Sequence, residues 1–160
     1  MRRSLILLAR VAAVVVAAFA INRLCIRPYR GAAVETEVQQ RSAVAEAADR
    51  QRAVILVRDN LNDLDRVARD RRLAPSWYML YGGNLELIDR WREATDVYTR
   101  ALTIDHRPEI YFDRGLARLR LGQIDAATAD MATAVRFNPH LLEQIDGELR
   151  ARVAAAARLQ

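Results

Sequence analysis

Cysteine, proline and glycine are all scarce in this chain of 160 residues. Its single cysteine, Cys25, excludes both a disulfide framework and a cluster of thiolate metal ligands. The four prolines and six glycines fall at only a few places, so most of the chain is free of helix breakers. Aromatic residues make up 6% of the chain, and its apolar content of 52% leans on Ala, Val, Leu and Ile. This composition suits packed helices better than a sheet-rich fold and predicts an all-α protein.

Lysine is absent, and all 25 basic residues are arginine. Six of them fall in residues 1–30, which contain no acid, whereas residues 31–160 hold the other 19 arginines and all 20 acids. The net charge of +5 therefore belongs to the N-terminal segment. Elsewhere the two signs alternate along helix faces, as at Asp96 and Arg100. Because a nucleic-acid-binding domain needs a basic face on its folded part, no nucleic-acid partner is expected.

Residues 1–30 are interpreted as a membrane anchor or signal segment. The run Leu5–Ile21 contains seventeen residues and one charge, Arg10, which places it at the short end of a membrane span. Basic and aromatic residues follow it, as in the interfacial collar of a membrane helix: Arg23, Arg27, Tyr29 and Arg30. These features predict a single-pass helix in the bacterial inner membrane, with the helical domain on the periplasmic side.

The same segment also fits a cleaved signal peptide. The uncharged run Val11–Ile21 has the length of a signal h-region, and Ala18-Phe19-Ala20 offers a cleavage motif of small residues. Under this alternative the protein is secreted or periplasmic after cleavage near Ala20. The dense basic charge that follows is unusual for an exported N-terminus, so the anchor is favoured.

Residues 31–73 are interpreted as linking helices that precede a domain of residues 74–160. Small apolar residues recur at three- and four-residue spacing from Ala32 to about Arg58, which predicts one long helix with a thin apolar stripe. A second helix would end before Pro75, and the candidate residues for its N-cap are Asp59, Asn60 and Asn62.

Two arrangements of these linking helices stay open. They form either a stalk followed by a short helix or a degenerate hairpin that stacks on the next unit. We expect Leu61–Leu73 to pack on the domain that follows and Ala32–Gln51 to project toward the membrane.

From Pro75 onward the sequence repeats itself with a period of about 33 residues. Small residues recur at Gly82/Gly115, Ala94/Ala127 and Ala101/Ala134, and large residues recur at Trp91/Ile124 and Tyr98/Met131. The small residues let two antiparallel helices approach closely, and the large ones fill the gaps beside them. Because neither hairpin can bury its apolar face alone, the two units are expected to stack.

This pattern resembles the tetratricopeptide repeat (TPR) family, with units at about residues 75–107 and 108–141. The second unit matches better, through Tyr111, Gly115, Gly122, Ala127, Met131, Ala134, Asn138 and Pro139. The first unit departs at Asp89, where the family has a turn glycine, and at His106, where it has a proline. The resemblance implies TPR-like helical hairpins, a short α-solenoid, that bind a protein partner.

Proteins of the TPR family bind partners in a groove lined by the first helix of each hairpin. By position, the resemblance assigns that groove to Met79, Leu80, Glu86, Leu87, Phe112, Asp113, Leu116 and Arg120, with Gly83 and Glu109 beside them. The family's familiar lysine and asparagine, which hold a peptide carboxylate, are missing here, so that specificity is not expected. The alternative is that neighbouring helices of the same chain cover these residues.

Beyond Pro139 an apolar stripe continues at helical spacing, through Leu141, Leu142, Ile145, Leu149 and Val153. It predicts a C-terminal capping helix that covers the last apolar face of the stack.

Few residues are placed to carry chemistry. Both histidines, His106 and His140, fall in turns that follow the repeats, and Asp125 and Asp130 are spaced too far apart on a helix to form a matched carboxylate pair. No spacing indicates a nucleophile with its base, a phosphate-binding loop or a metal site. We therefore expect no enzymatic activity, no cofactor, no metal and no small-molecule substrate.

The expected function is that of a TPR-type protein–protein interaction scaffold or adaptor of the bacterial cell envelope, anchored in the membrane by residues 5–21. Two alternatives remain. The chain is a small structural subunit of a larger membrane complex, or it is an accessory protein in surface polysaccharide assembly.

Overall fold

The fold was obtained as a computed structural model, which describes residues 27–68 and 74–159. All regular secondary structure in these two ranges is helical, which confirms the all-α class. None of the described helices is both long enough and apolar enough to span a bilayer. The predicted anchor at residues 5–21, Cys25 and the last part of the linking segment, residues 69–73, lie outside the described residues.

The described residues form seven α-helices and one 3₁₀ turn. In chain order these are α1 (Arg27–Glu46), α2 (Arg50–Ala68), α3 (Pro75–Glu86), α4 (Trp91–Ala101), α5 (Pro108–Arg120), α6 (Ile124–Phe137), the 3₁₀ turn (Pro139–Gln144) and α7 (Gly147–Leu159). The chain divides into two compact units, residues 1–37 and 38–160. The described part of the first unit belongs to α1, and the packing described below is that of the second unit.

The helix boundaries follow the sequence repeat. α3 and α5 begin one repeat period apart, at Pro75 and Pro108, and α4 and α6 begin the same period apart, at Trp91 and Ile124. Proline suits the first turn of a helix because the amide that it lacks would have no partner there. α3 packs against α4, α4 against α5, and α5 against α6. The chain therefore places two equivalent helix pairs one after the other.

A glycine in the first helix of each pair faces a large side chain of the second. A Cβ atom on Gly82 would overlap the ring of Tyr98, and a Cβ on Gly115 would lie 2.8 Å from Cγ of Met131. Both large side chains are fully buried. Within each helix pair, the recurring small residue is thus in direct contact with the recurring large one. This contact sets how closely the two helices approach.

The turns inside the two pairs also match, although their sequences differ. Gly122 has a φ of 74°, and Asp89, the equivalent position of the first unit, has a φ of 60°. Aspartate is one of the few side chains that enter this left-handed region without a large penalty. The first unit therefore makes the same turn without the glycine whose absence the sequence comparison had noted.

The linking segment differs from the predicted single helix. The helix expected from Ala32 to about Arg58 ends at Glu46, and α2 begins at Arg50. The break occurs at Asp49, whose carboxylate accepts a hydrogen bond from the backbone N–H of Arg52 at 3.0 Å, as an N-cap does.

None of the predicted capping residues begins a helix. Asp59, Asn60 and Asn62 all lie inside α2, and Asn60 is fully buried.

α1 and α2 form an antiparallel pair. Their side chains are linked by an ion pair between Arg41 and Asp63 and by a hydrogen bond from Nδ2 of Asn60 to Oγ of Ser42 at 3.2 Å. Arg41 precedes Ser42 in α1, but its partner Asp63 follows Asn60 in α2. The two helices therefore run in opposite directions. α2 in turn packs against α3.

Two clusters of buried side chains form the core. The first joins one residue of α1 to α2, α3, α4 and α5, and consists of Ala45, Ala53, Val57, Leu61, Leu85, Ala94, Tyr98, Ala101, Leu102, Ile110 and Ala117. The second joins α5 and α6 to the C-terminal elements, and consists of Phe112, Met131, Ala132, Ala134, Val135, Leu141, Ile145 and Val153.

The C-terminal stripe is buried as expected, but it is not one helix. Leu141 lies in the 3₁₀ turn, Ile145 follows that turn, and Val153 lies in α7. The interruption occurs at Gly147, which has a φ of 58° and lets the chain change direction between the two elements. α7 packs against α6 and covers the second core.

The close approach of α3 and α4 predicts opposite effects for two adjacent glycines. Gly82→Ala should lower the free energy of unfolding of the full-length chain by about 1–3 kcal/mol, because its methyl group would overlap Tyr98. Gly83→Ala is the matched control, since nothing lies within 4 Å of its added Cβ. Alanine there should raise the stability by about 0.5–1 kcal/mol through its higher helix propensity.

Urea unfolding followed by circular dichroism measures both variants. Equal effects of the two substitutions would show that the approach at Gly82 does not determine the stability of this helix pair.

Candidate functional site

A pocket of about 370 Å³ lies between α1 and α3, and we call it the α1–α3 pocket. Its lining residues come from these two helices and are Gln39, Ser42, Ala43, Glu46, Met79, Leu80, Gly83, Asn84, Glu86 and Leu87. Four of the eight predicted groove residues, Met79, Leu80, Glu86 and Leu87, are among them. The pocket therefore lies between the first helices of consecutive helix pairs, on the α1 side of α3, whereas the resemblance assigned the groove to α3 and α5.

A buried polar network positions α1 against α3. Nδ2 of Asn84 donates hydrogen bonds to Oγ of Ser42 at 3.0 Å and to the carbonyl of Leu80 at 2.8 Å. Oδ1 of Asn84 accepts from Nδ2 of Asn60 at 2.7 Å. Three helices thus meet at one amide. Because buried amides are costly unless they are paired, this network fixes how α1 and α3 sit at the pocket.

The pocket lining carries negative charge only. Its ionisable residues, among those that the structure describes, are Glu46 and Glu86, with no arginine beside them. These two residues are also the last residues of α1 and α3. Helix C-termini carry partial negative charge from their free carbonyl groups, so two helix ends add to the field of the carboxylates.

Glu86 is the most perturbed acid of this surface. Burial raises its pKa to about 7, and the negative charge of Asp113 adds to the rise, while Tyr98 and the Arg120 charge oppose it. Its Oε1 atom is buried and has no hydrogen-bond partner among the residues that the structure describes. The carboxylate of Glu86 therefore lacks adequate compensation within the described residues of the free chain.

Asp113 on α5 shares this environment. Burial, with a smaller contribution from the Glu109 charge, raises its pKa to about 6. Arg120, whose charge acts on Glu86, makes no ion pair with a described carboxylate, and its guanidinium lies 5.5 Å from the centre of the Trp91 ring. Glu86, Asp113 and Arg120 were all predicted groove residues, and α3 and α5 bring them close enough to influence one another.

Two predicted groove residues are placed differently. Phe112 is 4% exposed and packs in the second core with Met131, so it is not available to a partner. Its side chain faces α6 because that helix covers this side of α5. Leu116 is 37% exposed on α5, but it does not line the α1–α3 pocket. The burial of Phe112 therefore corrects the groove that the resemblance had assigned, whereas Leu116 stays a prediction.

The sequence missed the α1 half of the pocket. Gln39, Ser42, Ala43 and Glu46 were not candidates, because the helix containing them was taken to continue to Arg58. The available signal was Asp49, a strong N-cap residue that follows two alanines and precedes the stripe of α2.

A second polar feature joins α5 to α6. Asp130 is nearly buried and accepts two hydrogen bonds from Arg114, at 2.7 and 2.8 Å, and one from Arg118 at 2.7 Å. Nη1 of Arg114 also donates to Oγ1 of Thr99 on α4 at 3.2 Å. The Asp130 carboxylate is fully compensated here by two guanidinium groups, so this cluster holds three helices together and offers no free carboxylate to a ligand.

The histidines form no catalytic arrangement in the described residues. Nδ1 of His106 lies 3.1 Å from the Tyr111 hydroxyl, and His140 is exposed beside Glu143. Within residues 27–68 and 74–159, no three His, Cys, Asp or Glu side chains are grouped so that they could hold a metal ion. The α1–α3 pocket, with its neighbours Asp113 and Arg120, is accordingly the candidate site.

Comparison of this chain with protein-family models, with curated proteins and with solved structures gives no match.

The raised pKa values predict how stability depends on pH. Glu86 and Asp113 bind protons more tightly in the folded chain than in the unfolded one, so the folded state holds more protons at intermediate pH. The free energy of unfolding should therefore fall as the pH rises from about 5 to about 8, by on the order of 2 kcal/mol. Glu86→Gln should remove most of this fall.

Urea unfolding of the full-length chain at several pH values tests this dependence. Glu148→Gln is the matched control, since this exposed residue of α7 has no part in the site, and it should leave the slope unchanged. An unchanged slope in Glu86→Gln would show that the Glu86 carboxyl is not perturbed.

Proposed function

We propose that this chain is a non-catalytic, membrane-anchored protein–protein interaction scaffold of the TPR type. In this proposal the partner binds on the surface formed by the first helices of consecutive pairs, α1, α3 and α5. The C-terminal helix α7 caps the stack, and the N-terminal segment holds it at the membrane of a bacterial cell envelope.

The repeated architecture supports the TPR assignment. α3–α4 and α5–α6 share helix starts, a glycine-to-large contact and a left-handed turn residue at the same repeat spacing. The antiparallel pair α1–α2 precedes them and packs on α3. Stacks of this kind need about three repeats to bury a continuous core. With α1–α2 as the third pair, the described residues contain three helix pairs.

The observation that carries the proposed binding role is the α1–α3 pocket. Met79, Leu80, Glu86 and Leu87 were assigned to a partner groove from position alone, and all four line a pocket of about 370 Å³ that opens between two first helices. No helix of the described chain fills it. Apolar side chains beside a small number of polar groups are typical of binding sites.

We propose the bacterial inner membrane as the location, with the helical domain on the periplasmic side. The support is the apolar run Leu5–Ile21 and the arginines that flank it. The alternative, a secreted or periplasmic protein cleaved near Ala20, is separated from it by the following test.

A single-pass anchor predicts how the protein is extracted. The full-length chain should remain in the membrane fraction after alkaline carbonate treatment and should be released intact by detergent, because only detergent replaces the lipid around an apolar span. A peripheral membrane protein from the same cells serves as the control. Release of the chain by carbonate, or recovery of a form shortened by about twenty residues, would contradict the anchor.

The binding role predicts a position-specific crosslink. A photo-crosslinking amino acid in place of Leu80, in the pocket, should give a discrete crosslinked product in living cells, because a bound partner would lie against it. The matched control is the same replacement at Asp96, which is exposed on the second helix α4.

The products also separate the alternative functions. A partner crosslinked at Leu80 and not at Asp96 supports the scaffold. Equal products at both positions, or none at Leu80, would contradict it. A crosslinked partner from a membrane complex would favour the role of a structural subunit. A partner from surface polysaccharide assembly would favour the role of an accessory protein.

A further inference from the structure

We propose that the α1–α3 pocket binds an arginine side chain of the protein partner, with its guanidinium held by Glu46 and Glu86. This inference rests on the scaffold function proposed above and specifies the chemistry of its ligand.

Charge complementarity favours a cation in this pocket. The chain carries a net charge of +5 and 25 arginines, yet the described residues that line the pocket include two carboxylates and no basic residue. Glu46 and Glu86 end α1 and α3, so the partial negative charges of two helix C-termini act at the same place. A cation entering the pocket therefore meets four sources of negative potential and no opposing charge among the lining residues.

Glu86 also has an unused acceptor. Its Oε1 atom is buried without a hydrogen-bond partner in the described part of the chain, and a buried charged oxygen of this kind is costly until a donor reaches it. Burial and the Asp113 charge raise the pKa of Glu86 to about 7 although Arg120 lies nearby. Arg120 does not supply the missing donor, because its guanidinium lies over the Trp91 ring. No described residue supplies this donor, and a cation bound in the pocket would do so.

The shape and polarity of the lining suit a long basic side chain. Met79, Leu80 and Leu87 give the pocket an apolar side, which suits the methylene stem of a long basic residue. A volume of about 370 Å³ is near the lower end of ligand pockets and suits one long side chain. The planar guanidinium presents five donors to carboxylates, whereas an ammonium presents three, so arginine fits better than lysine.

Methionine NMR offers a direct test on the full-length chain in detergent. The protein has three methionines, of which Met79 lines the pocket and Met131 is fully buried in the second core. After labelling of the methionine methyl groups with ¹³C, N-acetyl-arginine amide is titrated in at about pH 8, where Glu86 is ionised. The Met79 signal should shift in a saturable manner, while the Met131 signal stays in place.

The neutral isostere gives the decisive comparison. N-acetyl-citrulline amide has nearly the same shape as the arginine probe but no charge, so it should leave the Met79 signal unchanged. Glu46→Gln and Glu86→Gln should each weaken the arginine probe by about tenfold, since each removes one charge from the pocket. Glu148→Gln, on exposed α7, is the matched control and should bind like the unmodified chain.

Three results would overturn the proposal: equal shifts with both probes, no shift with the arginine probe, or unchanged affinity in both pocket variants.

The crosslink at Leu80 tests the scaffold function separately from the arginine probe. A crosslinked partner that is retained when Glu46 and Glu86 are both changed to Gln would mean that the scaffold binds its partner without an arginine. A crosslinked partner lost in this double variant, and kept in Glu148→Gln, supports the inference. A product consisting of two copies of this chain would show that the occupant is a second copy, and would overturn the assignment to a different protein.

Discussion

The distance between paired helices is set where a glycine meets a buried large side chain. Gly82 lies against Tyr98 and Gly115 against Met131, and at both places a single added methyl group would collide with its neighbour. Each pair therefore has one permitted spacing, and the next helix stacks on the surface which that spacing creates. Tyr98 belongs to the first core and Met131 to the second, so each contact joins its helix pair to a core.

The α1–α3 pocket is more acidic than the groove that the sequence predicted. The resemblance to TPR proteins led to an apolar groove with a few charges, but Phe112 is buried in the core and α1 contributes Glu46, Ser42 and Gln39 instead. Asp113 lies close enough to Glu86 to raise its pKa. The excess of positive charge in the sequence thus falls in residues 1–30, whereas both charged residues that line the pocket are carboxylates.

The two downstream helix pairs could be predicted from the sequence because their pattern is periodic. Matching glycines, alanines and large residues occur at a fixed spacing, and the helix starts reproduce it. The pair α1–α2 offered no such pattern, since its key residues are polar. Asp49 acts locally as a cap, and Asn60 is buried only because Asn84 and Ser42 pair with it. The Arg114–Asp130 ion pair could not be predicted either, because it joins polar residues on different helices and follows no periodic pattern.

The amide network at Asn84 has a mechanical consequence. Helices that touch only through alanines and leucines can slide past one another in steps of one turn, about 5.4 Å, because one row of apolar knobs resembles the next. Ser42, Asn60 and Asn84 do not allow this, since a one-turn slip would strand buried donors and acceptors. Force applied along α1 would therefore be transmitted to α3 as a rigid displacement, without shear between the helices.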